Sequence, residues 1–256
     1  MSTPSLTFTP APGRAPTAHM LAAQTRMERL SLLRNGEQVG LTLVIPLLLE
    51  VFFNLPLLYS IGGRRIDFVV PSILALAVMS AAFTGLSIGT GFERKYGVLK
   101  RLGATALPRS VLLAGKTLAI LILELIQAAL ICALGFALGW HPHGDPLSVV
   151  ALLVLGTVAF GGLGLLLAGT LRAEVTLAAA NLVWLILLFA GGIAIPLSKY
   201  PEGVRDVLRY LPSAALSDGL HRVLQDGQAL PPGPVLTLVV WAAIALPAAA
   251  RWFKWE

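Results

Sequence analysis

Over half of the 256 residues are hydrophobic, only 12% carry a charge, and the mean hydropathy is +0.81. Ordinary soluble domains carry about 25% charged residues, so this composition excludes a soluble enzyme and describes a polytopic membrane protein. The net charge of +6 does not call for nucleic acid, because Lys and Arg gathered at helix ends fit the positive-inside bias and an anionic leaflet.

Residues 1–17, with Pro4, Pro10, Pro12, Gly13 and Pro16 among Ser and Thr, read as a disordered tail. The first 35 residues lack a continuous apolar core, so no cleavable signal peptide is expected. Over residues 18–38 the apolar positions Met20, Leu21, Met27, Leu30 and Leu33 recur at helical spacing, with Arg26, Arg29 and Arg34 among them. That pattern predicts an amphipathic interfacial helix lying along the membrane surface; a solvated helix packed on protein is the alternative.

Residues 39–256 form the membrane domain. A span needs about 20 mostly apolar residues. Six windows supply them: about Gly40 to Leu58, Phe68 to Thr90, Ser110 to Leu138, Leu147 to Leu171, Val175 to Ile195 and Val235 to Ala250. The predicted fold is all-α and polytopic, with short outer re-entrant or amphipathic helices between spans five and six. Pro71, Pro108 and Pro146 fall near helix starts, where a missing N–H costs little. Pro46 lies inside the first span and predicts a kink.

Orientation follows from the basic residues. With both termini inside, the cytoplasmic segments hold Arg14, Arg26, Arg29, Arg34, Arg94, Lys95, Lys100, Arg101, Arg109, Arg172, Arg251 and Lys254. The outer segments hold only Arg64, Arg65, Lys199, Arg205, Arg209 and Arg222, with Arg64 and Arg65 pulling mildly the other way. Tyr59 and Trp140 at outer ends, and Trp252 and Trp255 at the inner end, suit aromatic belts. The outer segment 196–234 reads as two short amphipathic helices at the surface, divided by Pro212.

No residues here suggest catalysis. No Gly-x-x-x-x-Gly-Lys-Ser/Thr loop occurs; Ala114-Gly115-Lys116-Thr117 keeps only its end, inside an apolar run. Any ATP chemistry must therefore come from another chain. Gly85-Leu86-Ser87-Ile88-Gly89 matches a nucleophile elbow but falls mid-span, with no His or Asp in a neighbouring apolar run. Gly85 with Gly89, and Gly135 with Gly139, read instead as small-residue packing faces. His141, His143 and Asp145 are too compact to close a tetrahedral metal site and read as a polar turn. Cys132 stands alone in an apolar run, which rules out an intrachain disulfide.

Four polar residues lie deep in apolar runs. Glu50 and Asn54 are one turn apart on the first span, and Glu124 and Gln127 on the third. A charge at mid-bilayer costs about 2.5–3.5 kcal/mol, so such groups face protein or water. At 1.5 Å per residue, Glu50 lies roughly 15 Å and Glu124 roughly 21 Å into their helices. These four are the candidates for a substrate pathway, with helix–helix bonding as the equal alternative. Lys116, about two turns in, is expected to snorkel to the cytoplasmic face.

Residues 92–109 form a basic island between two apolar runs. Val98, Leu99 and Leu102 share one side of it, ringed by Arg94, Lys95, Lys100 and Arg101. An amphipathic helix of this kind can lay apolar anchors in a partner's groove while rim charges set orientation. A topogenic loop with no partner fits the composition equally well.

Three stretches of the chain resemble the ABC-2 type transporter permeases, particularly the bacterial drug-exporter branch. They are Arg34-Asn35-Gly36-Glu37 running into Ile45-Pro46-Leu47; Glu93-Arg94-Lys95-Tyr96-Gly97-Val98-Leu99-Lys100-Arg101-Leu102-Gly103-Ala104-Thr105 followed by Gly115-Lys116; and Gly191 to Leu197 followed by Leu211-Pro212-Ser213. The resemblance implies a dimer of six-helix units, homo- or heteromeric, in the bacterial inner membrane. It also implies separate ATP-binding subunits that carry ATP and Mg, while this chain binds no cofactor. Residues Glu93 to Leu102 would be the coupling helix on which that ATPase acts. The function implied is export of an amphiphilic drug, natural product or lipid-like substrate. The alternative is a proton-coupled carrier that uses Glu50 or Glu124.

Overall fold

The protein is described by a computed structural model that covers Gly13, residues 15–55 and residues 64–254. Most of the expected N-terminal tail, Tyr59, Trp255 and the end of the first predicted span lie outside the described residues. Among those described, every regular element is helical. Among the described residues, five helices are long and apolar enough to cross a membrane: Arg65–Lys95, Arg109–Ala137, Pro146–Thr170, Ala173–Ala190 and Pro232–Trp252. A shorter apolar helical stretch, Thr42–Asn54, occupies the place of the first predicted span.

In chain order, α1 is Thr17–Arg34 and α2 is Gly36–Asn54. The second span is built from α3 (Arg65–Val78), a π-helical segment (Met79–Gly85) and α4 (Leu86–Lys95) without a break. After the short α5 (Val98–Gly103) come α6 (Arg109–Ala137), α7 (Pro146–Thr170) and α8 (Ala173–Ala190). Beyond a 3-10 turn lie α9 (Glu202–Leu208), α10 (Pro212–Leu224) and α11 (Pro232–Trp252). Span α8 stops at Ala190, short of the predicted Ile195, because Gly192 turns the chain at φ 72°.

The second span is the centre of the fold. Its α3 face is buried almost continuously from Ile66 to Met79. The main core also takes Leu152, Phe160, Leu216, Leu220 and Leu238 from α7, α10 and α11. Helix α10 is therefore not a surface helix as expected: Pro212 to Leu224 is buried nearly throughout, wedged against α3, α7 and α11. Pro212 at its first position and the apolar spacing of Leu216, Leu220, Val223 and Leu224 allow a short helix to enter the bundle as a unit.

Helix α1 packs its polar side on α6. Met27, Leu30 and Leu33 are exposed, at 45%, 45% and 51%, whereas Gln24 and Glu28 are buried against α6. Lipid tails are as apolar as leucine, so outward-facing apolar side chains cost little, and polar side chains seek partners inside. Gly115 permits the approach, since a Cβ there would stand 2.6 Å from the Gln24 Cγ.

Helix α2 stays helical through Pro46. Proline has no N–H, so the carbonyl of Thr42, four residues earlier, loses its helical partner. The Gln127 Nε2 donates to that carbonyl at 2.7 Å. The small-residue faces also divide. Gly135 packs within contact distance of Val70 and Trp140, while Gly139 sits in a turn at φ 86° and Gly85 and Gly89 pack against no neighbouring helix.

Candidate functional site

Two chambers lie along the helices, and Leu49, Leu76 and Trp184 belong to the walls of both. The chamber at the basic end has a volume of about 550 Å³ and lies among α1, α2, α4, α6 and α8. The far chamber, about 900 Å³, lies among α2, α3, α8, the 3-10 turn and α10. Between them the Trp184 Nε1 donates to the Ser80 Oγ at 3.0 Å. Ser80 belongs to the π-helical segment, a local widening of the helix that often marks functional positions.

At the mouth of the first chamber, the Lys116 ammonium is 2% exposed and donates to Glu28 at 3.0 Å and to Glu93 at 2.5 Å. Gln24 donates to the same Glu28 carboxylate at 2.7 Å. This corrects the expected snorkelling: Lys116 points into a buried ionic triad that ties α1, α4 and α6 together. A buried ammonium that meets two carboxylates needs no water, so the side chain gains nothing by reaching the surface.

The four pathway candidates are not gathered in one place. Gln127 lines the first chamber; its Oε1 is buried and has no hydrogen-bond partner among the described residues. Glu124 is packed between helices, where the Thr157 hydroxyl bonds its carboxylate. Glu50 is wholly buried beside Gly135 and neither of its oxygens is hydrogen-bonded among the described residues. Asn54 is half-buried at the end of α2, and like Glu50 and Glu124 it lies outside both chamber walls. An unsatisfied buried polar group costs about 1–3 kcal/mol. Glu50→Leu is therefore expected to raise the thermal midpoint of the purified protein, read by fluorescence-detected elution after heating. A lower midpoint would show that Glu50 has a partner the fold depends on.

The basic island is largely tied to its own chain. The Arg94 guanidinium donates to the Leu171 carbonyl, Lys95 pairs with Glu174, and Glu93 holds Lys116. Leu99 is fully buried with Leu112, Leu113, Leu165 and Phe253, and Leu102 packs on that cluster. Leu99 and Leu102 therefore anchor α5 inward, and what they were expected to offer a partner falls to Tyr96 and Val98, 66% and 38% exposed, with Lys100 and Arg101 exposed beside them. Gly97 joins α4 to α5 at φ 73° with nothing within 4 Å of a would-be Cβ. Only the left-handed backbone penalises a side chain there. Gly97→Ala is expected to destabilise by roughly 1–2 kcal/mol, seen as a modest fall in thermal midpoint. An unchanged midpoint would show that the turn relaxes freely.

Asp145 caps α7, accepting from the Ser148 N–H at 3.0 Å; the amides of Ser148 and Leu147 hold its carboxyl below the usual carboxylate range. The His143 backbone N–H donates to the Leu224 carbonyl at 3.1 Å. Among the described residues no three His, Cys, Asp or Glu side chains converge as metal ligands. His221 on α10 stands in no motif that marks it in the sequence. Its ring packs on Phe68 with centroids 4.8 Å apart, its Nδ1 lies 2.7 Å from the Ser217 carbonyl, and burial keeps the imidazole below its ordinary range.

An all-helical bundle with apolar, outward-facing spans and chambers between its helices defines a multi-pass membrane protein. The sequence profile of the ABC-2 family transporter proteins matches residues 53–251, and the chain belongs to that family. It is 24% identical over 242 residues to the "Probable doxorubicin resistance ABC transporter permease protein DrrC" of Mycobacterium tuberculosis, covering 91% of this chain and 87% of that one. Over 156 residues it is 28% identical to the linearmycin resistance permease protein LnrN of Bacillus subtilis, covering 59% of this chain and 38% of that protein.

Proposed function

We propose that this chain is the permease subunit of an ATP-driven exporter of amphiphilic compounds, working with a separate ATP-binding subunit and a second permease chain. The observation that carries this reading is the way α5 is mounted. Its outer side exposes Val98 and Arg101, with Tyr96 exposed in the turn before it, while Leu99 is fixed in a cluster shared with α6, α7 and the end of α11. A partner that pulls on this turn moves three spans together, which is rigid-body coupling across an interface. The resistance functions in the names of both relatives support export, and the lack of a nucleotide loop in these 256 residues fits a separate ATP-binding subunit. The basic end then faces the cytoplasm, where the positive-inside bias puts it. Cargo enters the chamber at that end and leaves by the far one, past Trp184. Glu50 and Glu124 lie outside both chambers, so proton coupling through them has no support.

Membrane vesicles turned inside out and loaded with the chain and its ATP-binding partner test the reading. ATP is expected to drive uptake of an amphiphilic fluorophore, and a proton ionophore to leave that uptake intact. Uptake that ignores ATP and collapses with the proton gradient would overturn it.

A further inference from the structure

The walls of the basic-end chamber are apolar over most of their area, through Leu32, Val39, Ile45, Leu86, Ile120 and Leu123. Its described charged lining is Glu28, Glu93 and Lys116. Two carboxylates therefore share one ammonium, and the mouth keeps one formal negative charge that these side chains do not balance. Glu93 is the open member: its side chain is 30% exposed, against 10% for Glu28. Lys116 already donates to both carboxylates, so an anion entering here meets no unoccupied cation among the described lining residues.

A second, independent observation points to a ligand. Three buried oxygens of the same wall, Thr84 Oγ1, Thr90 Oγ1 and Gln127 Oε1, have no hydrogen-bond partner among the described residues. Thr90 and Gln127 are each 1% exposed. Buried polar atoms are nearly always paired, and these three can all accept. The complement to such a wall is an apolar body that carries donors and a positive charge.

We propose that the basic-end chamber binds a cationic amphiphile, an apolar body bearing a protonated amine, with Glu93 and Glu28 receiving the amine. The proposal rests on the transport reading above and adds the class of cargo. The far chamber supports it. There the described charged lining is Arg65, Lys199 and Asp218, and Asp218 is already paired with Arg222 at 2.9 Å. A cation that passes Trp184 leaves an acidic mouth for a basic chamber, which favours release on the far side.

Dansylcadaverine and its N-acetyl derivative share one fluorophore, and only the first carries a protonated amine. Energy transfer from tryptophan reports their binding to the full chain in lipid nanodiscs without nucleotide. Empty nanodiscs give the lipid background, and Trp184→Phe confirms the site by weakening the signal. The amine is expected to bind at least about tenfold tighter than its acetylated form, equivalent to about 1.4 kcal/mol. Glu93→Gln is expected to remove most of that preference and Glu93→Asp to keep it. Equal affinity of the two probes, or a preference that Glu93→Gln leaves intact, overturns the proposal. Glu28→Gln is expected to act as Glu93→Gln does; should that variant fail to fold, the Glu93 pair carries the test alone. ATP-driven vesicle uptake separates the two readings. Transport of both probes with equal binding sinks the cation site alone, whereas charge-selective binding without transport sinks the exporter reading alone.

Discussion

Lys116→Met is expected to cost about 3–5 kcal/mol of stability, the largest effect of any single substitution considered, because it strands two carboxylates in a buried mouth. Glu28 is 8% exposed and holds one further partner, Gln24, while Glu93 loses the ion pair that Lys116 gives it. The expected result is a sharply lower thermal midpoint and a poor yield of monodisperse protein in mild detergent. The triple variant Glu28→Gln, Glu93→Gln, Lys116→Met should recover much of the loss, since an uncharged replacement of the whole group leaves nothing unpaired. If the single change were tolerated, or the triple variant were worse than the single, the triad would not be what joins α1, α4 and α6.

The second large effect concerns the exposed side of the basic turn. Arg101→Glu combined with Tyr96→Ala is expected to reduce capture of the ATP-binding subunit at least tenfold and to abolish ATP-driven uptake. Arginine and tyrosine dominate binding energy at many interfaces, and both are exposed here. The thermal midpoint of the permease itself should barely change, because neither side chain supports the core. Leu99→Ala gives the contrast. That side chain is fully buried, so its loss should cost about 2–5 kcal/mol and damage the fold before it touches docking. Normal capture and uptake in the double variant would remove residues 93–102 from the coupling role. Arg94 is a poor choice for this test, because reversing it also breaks the bond to the Leu171 carbonyl.

The long spans were legible because hydrocarbon imposes one rule on every residue that crosses it: the run must be apolar and about 20 residues long. Prolines at positions 108, 146 and 212 mark helix starts for a similarly local reason, the missing N–H. Pro46 predicts a kink, but the bond that Gln127 donates to the freed Thr42 carbonyl was not visible, because the two residues stand 85 positions apart. The candidate site was legible only in part. Gln127 lines a chamber, whereas Glu50 and Glu124 are equally apolar in context yet face neighbouring helices. A run of apolar residues carries almost no periodicity, so it cannot say which side of a helix meets a cavity, a neighbour or lipid.

The same limit explains why the burial of α10 was not visible. Its apolar spacing fits a surface helix and a helix packed on α3, α7 and α11 equally well. In a bilayer the outside is apolar too, so Met27, Leu30 and Leu33 can face outward while Glu28 turns in to Lys116. The sequence by itself determined that this chain is a helical membrane protein, roughly where its helices run, that it lacks a nucleotide loop, and that a basic turn interrupts its spans. Only the tertiary structure decided which polar groups meet. The triad of Glu28, Glu93 and Lys116, the Trp184–Ser80 bond between the chambers and the inward anchor at Leu99 all join residues far apart in the chain. Span positions follow from hydropathy one segment at a time, but these contacts depend on how the segments pack, which no single segment encodes.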